Sequence, residues 1–569
     1  MTTKTKTNPW AKDQARVEEY MTGVMDGTIP ANEFHKMAVQ RQLDDMEHGH
    51  ERGLVFEEHA AFKHISFARL CQHFDSEWAG KPFEPELWEL FICWVMYGWK
   101  RSDGTRRFRV AYVEVARGNG KSFLATVLSL DALLNDSEPG AQIYAGATKM
   151  DQAKIVHEPA IWMVEASPAL KKRCDIRVNS ISVPETHANF KPISSDAKKQ
   201  DGFKPHFTTL DELHEHPDGK LYSVIRSGMG KRLQPLLFII TTAGFNKHSF
   251  CKVSIHNRVE KILQGVIEDD SWFGIIFTVD DETKWDDPIE WAKANPNLGV
   301  SITVADMKDM AKEAADDTTA MNNFLVKRLC VWTTQEKGWL NFQKWKRCPN
   351  PIITEDDLYG KPCYGGIDIG NTKDLAGIVW LFPWENKQMV VLTRCFIPRE
   401  YAAEREKRDG VPYLQWANDG FIDLTDGETL DHEYFRDLFL EDCKKFDMQV
   451  AGYDPWNFHS DDQELVKEGV PRDKLIEVRQ GPRTLSKGMK SIDILYRNQQ
   501  LIHGNNPVLS WCATNVVAYQ DRNENISPDK DKSIERIDLF TCLVIAETVR
   551  LEVPHKKPSK YETEGIFEA

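Results

Sequence analysis

At 569 residues the chain exceeds what one hydrophobic core organises, so two or more domains are expected. Its composition, 41% hydrophobic and 28% charged, is that of a soluble globular protein, and no apolar run approaches the roughly 18 residues of a membrane span. Eleven cysteines without CxxC spacing argue against a disulfide scaffold or a zinc module, and a net charge of −15 against a protein that coats nucleic acid over its whole surface, though a local basic groove stays open.

The N-terminus, MTTKTKTNPWAKDQ, is polar and lacks a signal-peptide core, so cytoplasmic residence is expected. Residues 1–75 read as charged packing or partner helices, with a turn at Gly27 to Pro30. Pro82 to Lys100, PFEPELWELFICWVMYGWK, is aromatic and apolar at helical spacing: a core helix, or a place to stack an adenine. Phe108 to Leu134 then gives a buried strand, a Gly-bearing turn and a helix opening at Lys121. A Gly-Lys-Ser at such a turn is what a phosphate cradle requires. Gly120 allows close backbone approach, the helix N-terminus aims N–H groups at an anion, Lys121 adds a point charge, and the Ser122 hydroxyl can ligate Mg²⁺. Arg117, Gly118 and Asn119 fill the turn, and Val115 stands where the usual loop has its first glycine.

Next come a short strand, AQIYAGAT, a helix over TKMDQAKIVHEPAIWMVEASPAL, and HFTTLDELHEH, a β-prone run ending in Asp211-Glu212. An Asp at a strand end can hold Mg²⁺ and the adjacent Glu can deprotonate an attacking water. PLLFIITTAGF is a further apolar strand, ending in Thr241, Thr242 and Ala243, small residues suited to sensing a γ-phosphate. Three apolar strands ending in polar chemistry, with helices between, describe a parallel α/β sheet whose carboxyl ends carry a nucleotide site. His214 and His216 lack a third ligand at recognisable spacing and read as loop residues. Residues 285–345 read as a connector between domains.

The pattern restarts at Tyr364. Asp368 lies within an apolar strand, where a carboxylate is expensive unless it binds something; Asp454 ends another, and Asp538 opens an apolar helix. Such a triplet suits two divalent ions about 3.5–4 Å apart, and all-carboxylate ligands point to Mg²⁺ or Mn²⁺. Asp374 and Glu535 are supplementary candidates. Arg472, Lys474, Arg479, Arg483, Lys487 and Lys490 form a local basic stretch, either a duplex-backbone groove or a solvated helix face. The tail after Pro554 is polar, a docking peptide or a flexible end.

In order and spacing, VARGNGKS, LDE, TTAG, WAKANPNLG, IDIGNTKDLAGI, GYDPWNF and RIDLFTCLVIAE resemble the large terminase subunits of tailed bacteriophages, from about Phe67 to Glu547. The resemblance implies an α/β chain: an N-terminal P-loop (ASCE, RecA-like) ATPase and a C-terminal ribonuclease-H-like nuclease. The expected segments are 1–75 N-terminal helices, 76–300 ATPase core, 301–352 connector, 353–552 nuclease and 553–569 flexible tail. By position, Arg117, Gly118, Asn119, Gly120, Lys121, Ser122 and Asp211 match nucleotide-binding residues, and Ser122 and Asp211 also Mg²⁺ ligands. Glu212 matches the water-activating acid, Thr241 to Ala243 the coupling motif, and Asp368, Asp454 and Asp538 the metal-holding nuclease triad. ATP with Mg²⁺ and two Mg²⁺ or Mn²⁺ ions are the implied cofactors. The implied partners are double-stranded viral DNA, the portal protein, the small terminase subunit and further copies in a ring, pentameric by resemblance. The implied location is the host cytoplasm and, transiently, the procapsid portal, not the mature virion. Leu87-Trp88-Glu89 replaces the family's Pro-Trp-Gln near the adenine, and the region before Asp211 holds Lys198, Lys199 and Lys204 but no Arg, leaving Arg226 or Arg232 as the arginine finger. A P-loop helicase–nuclease and a structural ring component with a degenerate ATP site are the alternative readings.

Overall fold

The computed structural model describes residues 9–552 except 75, 137, 196–202, 334–338, 370–374, 410, 531–532 and 534–535. Asp374, Glu535, Lys198, Lys199 and the tail after Pro554 therefore lie outside the described residues. The chain divides into two compact units, one of residues 1–316 with 320–333, the other of 317–319 with 334–569.

The first unit is built on an eight-stranded sheet in the order Trp272–Ile276, Val110–Glu114, Leu236–Thr241, Pro205–Asp211, Gln142–Ala147, Ala188–Ser194, Ser180–Val183, Asp175–Arg177. The first six run parallel and the last two return antiparallel. Val110–Glu114, Pro205–Asp211 and Leu236–Thr241 are buried at every residue, as strands covered on both faces by helices must be. Leu236–Thr241 lies between the other two, with Glu114 opposite Thr241 and Asp211 opposite Ile240. The three expected functional segments thus leave one edge of the sheet side by side. Helices Ala11–Asp26, Glu33–His48 and Glu58–Ala68 place Val17, Tyr20, Val39, Phe62 and Ile65 in the same core, so residues 1–75 are part of this unit and not an appended segment. Residues 301–316 and 320–333, expected to begin a connector, group with this unit. Helices Pro288–Ala294, Val304–Asp316 and Thr318–Leu329 share a smaller core around Trp291, Met307 and Phe324.

The second unit has a seven-stranded mixed sheet. Along its main path the order is Asp423–Thr425, Met389–Pro398, Ala376–Pro383, Pro362–Asp368, Asp447–Tyr453, Leu475–Glu477, with Leu501–Ile502 beside Met389–Pro398. Helix Asp538–Glu552, buried along nearly its whole length, crosses the centre of the sheet. A Cβ at Gly366 would come within 1.9 Å of the Cys542 carbonyl oxygen, so glycine there is what lets the helix lie so close. Ile367 pairs with Tyr453 in parallel register, which sets the next residues, Asp368 and Asp454, at neighbouring strand ends.

Candidate functional sites

Strand pairing in the first unit continues one residue past Glu114, because the Val115 N–H donates to the Thr241 carbonyl at 3.0 Å. The turn starts only at Ala116, so Val115 serves where the usual loop places glycine. The left-handed positions fall at Gly118 (φ 94°) and Gly120 (φ 78°), which an L side chain would strain.

The turn is braced from behind. The buried Asn119 amide donates to the Ala116 carbonyl and to Asn295 Oδ1, both at 3.0 Å. Asn297 answers with its own N–H to Asn119 Oδ1 (3.0 Å) and its amide to the Asn119 carbonyl (3.1 Å). Trp88 Nε1–H donates to Asn297 Oδ1 at 2.7 Å, and its ring is only 1% exposed. Trp88 therefore props the loop and offers no face for an adenine, contrary to one of the two readings of its helix. Beside it, burial pushes the Glu89 carboxyl up to about 8.

On the open side, Lys121 Nζ stands 2.7 Å from Glu212 Oε1, and Ser122 Oγ–H donates to Asp211 Oδ2 at 3.2 Å. A cavity of about 280 Å³ is lined by Arg117, Gly118, Gly120, Lys121, Ser122 and Glu212. Glu212 itself is left-handed (φ 50°, ψ 51°), a strained backbone of the kind that clusters at functional sites. Burial, with the charge of Glu212 beside it, pushes Asp211 above the usual carboxylate range. Burial opposes ionisation of Glu212 too, but His214 and Lys121 hold it below that range, so it stays charged. Thr242 N–H reaches Glu212 Oε2 at 3.4 Å, and Arg117 pairs with Glu215 at 3.4 Å.

His214 is the residue that sequence reading passed over. Its side chain is 6% exposed, and its Nδ1 lies 3.2 Å from Glu212 Oε2 and 2.9 Å from Thr241 Oγ1. Its neighbour His216 is buried and held neutral, pushed down to about 4 by burial.

The two candidate finger arginines part ways. Arg232 donates to the Lys204, Pro139 and Gly140 carbonyls and pairs with Glu138 at 3.2 Å. Those partners precede strands Gln142–Ala147 and Pro205–Asp211, at the end of the sheet opposite the phosphate loop. Arg232 is thus held within its own unit by four partners. Arg226, in helix Lys220–Met229, lines a separate cavity of about 290 Å³ with Tyr222, Phe250 and Arg258.

In the second unit Asp368 is 3% exposed at its strand end, and Asp454 caps helix Pro455–Lys467, accepting from the Trp456 N–H at 3.1 Å. Burial, seconded by the charge of Asp368, pushes Asp454 up. Asp538 is the first residue of helix Asp538–Glu552. The Lys530 ammonium lies 2.8 Å from Asp368 Oδ2; burial opposes its charge, but Asp368 and Asp538 push its pKa up. Among the described residues no three His, Cys, Asp or Glu side chains are close enough to hold an ion. The donor set nonetheless suits a hard cation, being carboxylate only, and a stand-in positive charge already sits against it. Of the basic stretch, Arg472 pairs with Asp462 at 2.7 Å, while Lys474 and Lys490 donate to the Met448 and Glu524 carbonyls. Those three are tied into the fold itself.

The first unit thus carries a phosphate-type loop on a parallel sheet, and the second two acids at neighbouring strand ends with a third opening the helix across that sheet. Comparison with known proteins agrees with this division. Residues 87–257 match the family profile "Terminase large subunit, ATPase domain" and residues 266–552 "Terminase large subunit, endonuclease domain". The chain belongs to the terminase large subunit family. Protein YmfN of Escherichia coli (strain K12) is 28% identical over 365 residues, 62% of this chain and 79% of that protein. The terminase large subunit of Enterobacteria phage HK97 is 26% identical over 487 residues, 84% of this chain and 93% of the relative. The crystal structure of the HK97 bacteriophage large terminase aligns with a TM-score of 0.42 at 23% identity, covering 86% of this chain and 99% of that one. The protein is thus an ATPase and endonuclease, a DNA-packaging motor subunit that also cuts concatemers. No helix among the described residues is long and apolar enough to cross a membrane.

Proposed function

We propose that Glu212 is the general base of ATP hydrolysis and that Lys121 releases it when ATP arrives. The observation that carries this is the 2.7 Å contact between Lys121 Nζ and Glu212 Oε1 at the mouth of the loop cavity. The triphosphate competes for Lys121, for the Gly118–Ser122 amides and for Arg117, which must leave Glu215. Glu212, freed on one oxygen and still charged, takes the proton of the attacking water. Ser122 and Asp211 would hold the Mg²⁺, which when bound would supply charge neutralisation on the phosphates. Loss of the γ-phosphate is felt at Thr241, Thr242 and Ala243, one strand over. Arg226 remains the proposed trans-acting finger.

In the second unit Asp368, Asp454 and Asp538 would hold two Mg²⁺ or Mn²⁺ ions, which when bound would supply a water nucleophile and charge stabilisation for phosphodiester cleavage. The DNA is double-stranded viral DNA, cut without base-specific contacts. The partners are the portal, the small terminase subunit and further copies in a ring, and the site of action is the host cytoplasm at the procapsid portal. The test is ATP turnover and plasmid cleavage by the full chain and its Glu212→Gln and Asp454→Asn variants. Each substitution is expected to remove one activity and spare the other; an ATPase intact in Glu212→Gln overturns the base assignment.

A further inference from the structure

We propose that His214 is a positioning residue that fixes the Glu212 carboxylate and ties it to the Thr241–Gly244 segment; this rests on Glu212 being the base. The contacts converge on one ring. His214 Nδ1 lies 3.2 Å from Glu212 Oε2, 2.9 Å from Thr241 Oγ1 and 3.5 Å from Thr242 Oγ1. The His214 backbone N–H also donates to Thr241 Oγ1 at 3.2 Å. On its other face the ring packs on Gly244, where a Cβ would come within 3.3 Å of His214 Cδ2. Its Nε2 points toward Glu215 at 3.7 Å, the acid that pairs with Arg117.

This arrangement does something Lys121 cannot. Lys121 holds Glu212 Oε1 and is the group the incoming phosphates take away. Oε2 keeps its contacts through the exchange, a 3.4 Å amide from Thr242 and the His214 ring. With the Lys121 contact gone, a carboxylate on a strained left-handed backbone needs such a tether to stay aimed at water. The same nitrogen is shared with Thr241, so a shift of Glu212 on phosphate loss is passed to the neighbouring strand end through one side chain. A histidine that merely filled a loop would not place one nitrogen within reach of a carboxylate and two hydroxyls.

The test is steady-state ATP turnover by the full chain, with DNA present, for His214→Ala, His214→Asn, Glu212→Gln and the Glu212→Gln/His214→Ala double variant. His214→Ala should lower kcat about 10- to 100-fold while KM for ATP changes less than about twofold, since the loss falls on the transition state. Asn, whose side-chain N–H can take the place of Nδ1, should recover most of it. In the Glu212→Gln background the second substitution should cost no more than about twofold, because both act through one carboxylate. Multiplicative losses in the double variant overturn the proposal, as does full kcat in His214→Ala beside an inactive Glu212→Gln. A kcat loss that Asn does not restore, accompanied by a lower melting temperature in both His214 variants, also overturns it. Near-normal turnover by Glu212→Gln itself is a different failure: the base assignment falls, and this inference with it.

Discussion

The two acid sites are prepared in opposite ways. In the first unit each charged group already has a side-chain partner: Lys121 on Glu212, Ser122 on Asp211, His214 on Glu212, Arg117 on Glu215. In the second, register sets two acids on neighbouring strands, but the group that closes on Asp368 is a lysine from another segment. A network of partners pre-pays the orientation of the reacting groups, which suits a site that must turn over repeatedly on a small substrate.

The strongest way to break the comparison is to remove one site and watch the other. Asp454→Asn should abolish metal-dependent plasmid cleavage while ATP turnover stays at the wild-type rate, both measured on one preparation. Glu212→Gln should cost roughly 10²–10⁴ in ATP turnover and leave cleavage intact. Cross-effects in either direction would show that the two sites are not independently built.

Lys530 sharpens the contrast. Removing a partly buried charged hydrogen bond of about 1.5–3 kcal/mol leaves Asp368 to seek another cation. Lys530→Ala should therefore tighten Mn²⁺ binding, read by calorimetry, by about ten- to a hundredfold. Unchanged or weaker binding would mean the lysine does not stand where an ion's charge belongs.

Sequence showed best what lies within one short segment. The phosphate turn, Asp211-Glu212, the TTAG strand end and Asp368 and Asp454 each carry their signal within a few residues of a buried strand, and Asp538 at the start of a buried helix, so burial pattern and chemistry coincide. What escaped was long-range. Asn297 meets Asn119 across 178 positions, and the stretch WAKANPNLG read as part of a connector because its asparagines spend their hydrogen bonds on a distant turn. Arg232 passed for a free guanidinium because its partners at Glu138 and Gly140 lie more than ninety residues back. His214 was visible but had no third metal ligand, and looking for a metal hid its role as a carboxylate partner. Lys530 stood outside any search confined to acids.

The smallest effects lie behind the loop. Asn297→Ala removes the two side-chain hydrogen bonds to Trp88 and the Asn119 carbonyl and keeps the backbone one, so the turn should loosen and KM for ATP rise several-fold with kcat nearly kept. Glu89, in the same wall, tests whether this brace is neutral at working pH. Its folded-state value of about 8 lies above the unfolded 4.5, so the stability it contributes is full below about pH 4.5 and is lost as pH rises through 8. At pH 7 it is mostly a neutral acid, able to donate as well as accept a hydrogen bond, as a glutamine would. Glu89→Gln should therefore match the wild-type melting temperature near pH 4.5 and rise progressively above it between pH 6 and pH 9. A wild-type protein whose stability follows the Gln variant across that range would show that Glu89 is already ionised, and that the wall behind the phosphate loop carries a charge.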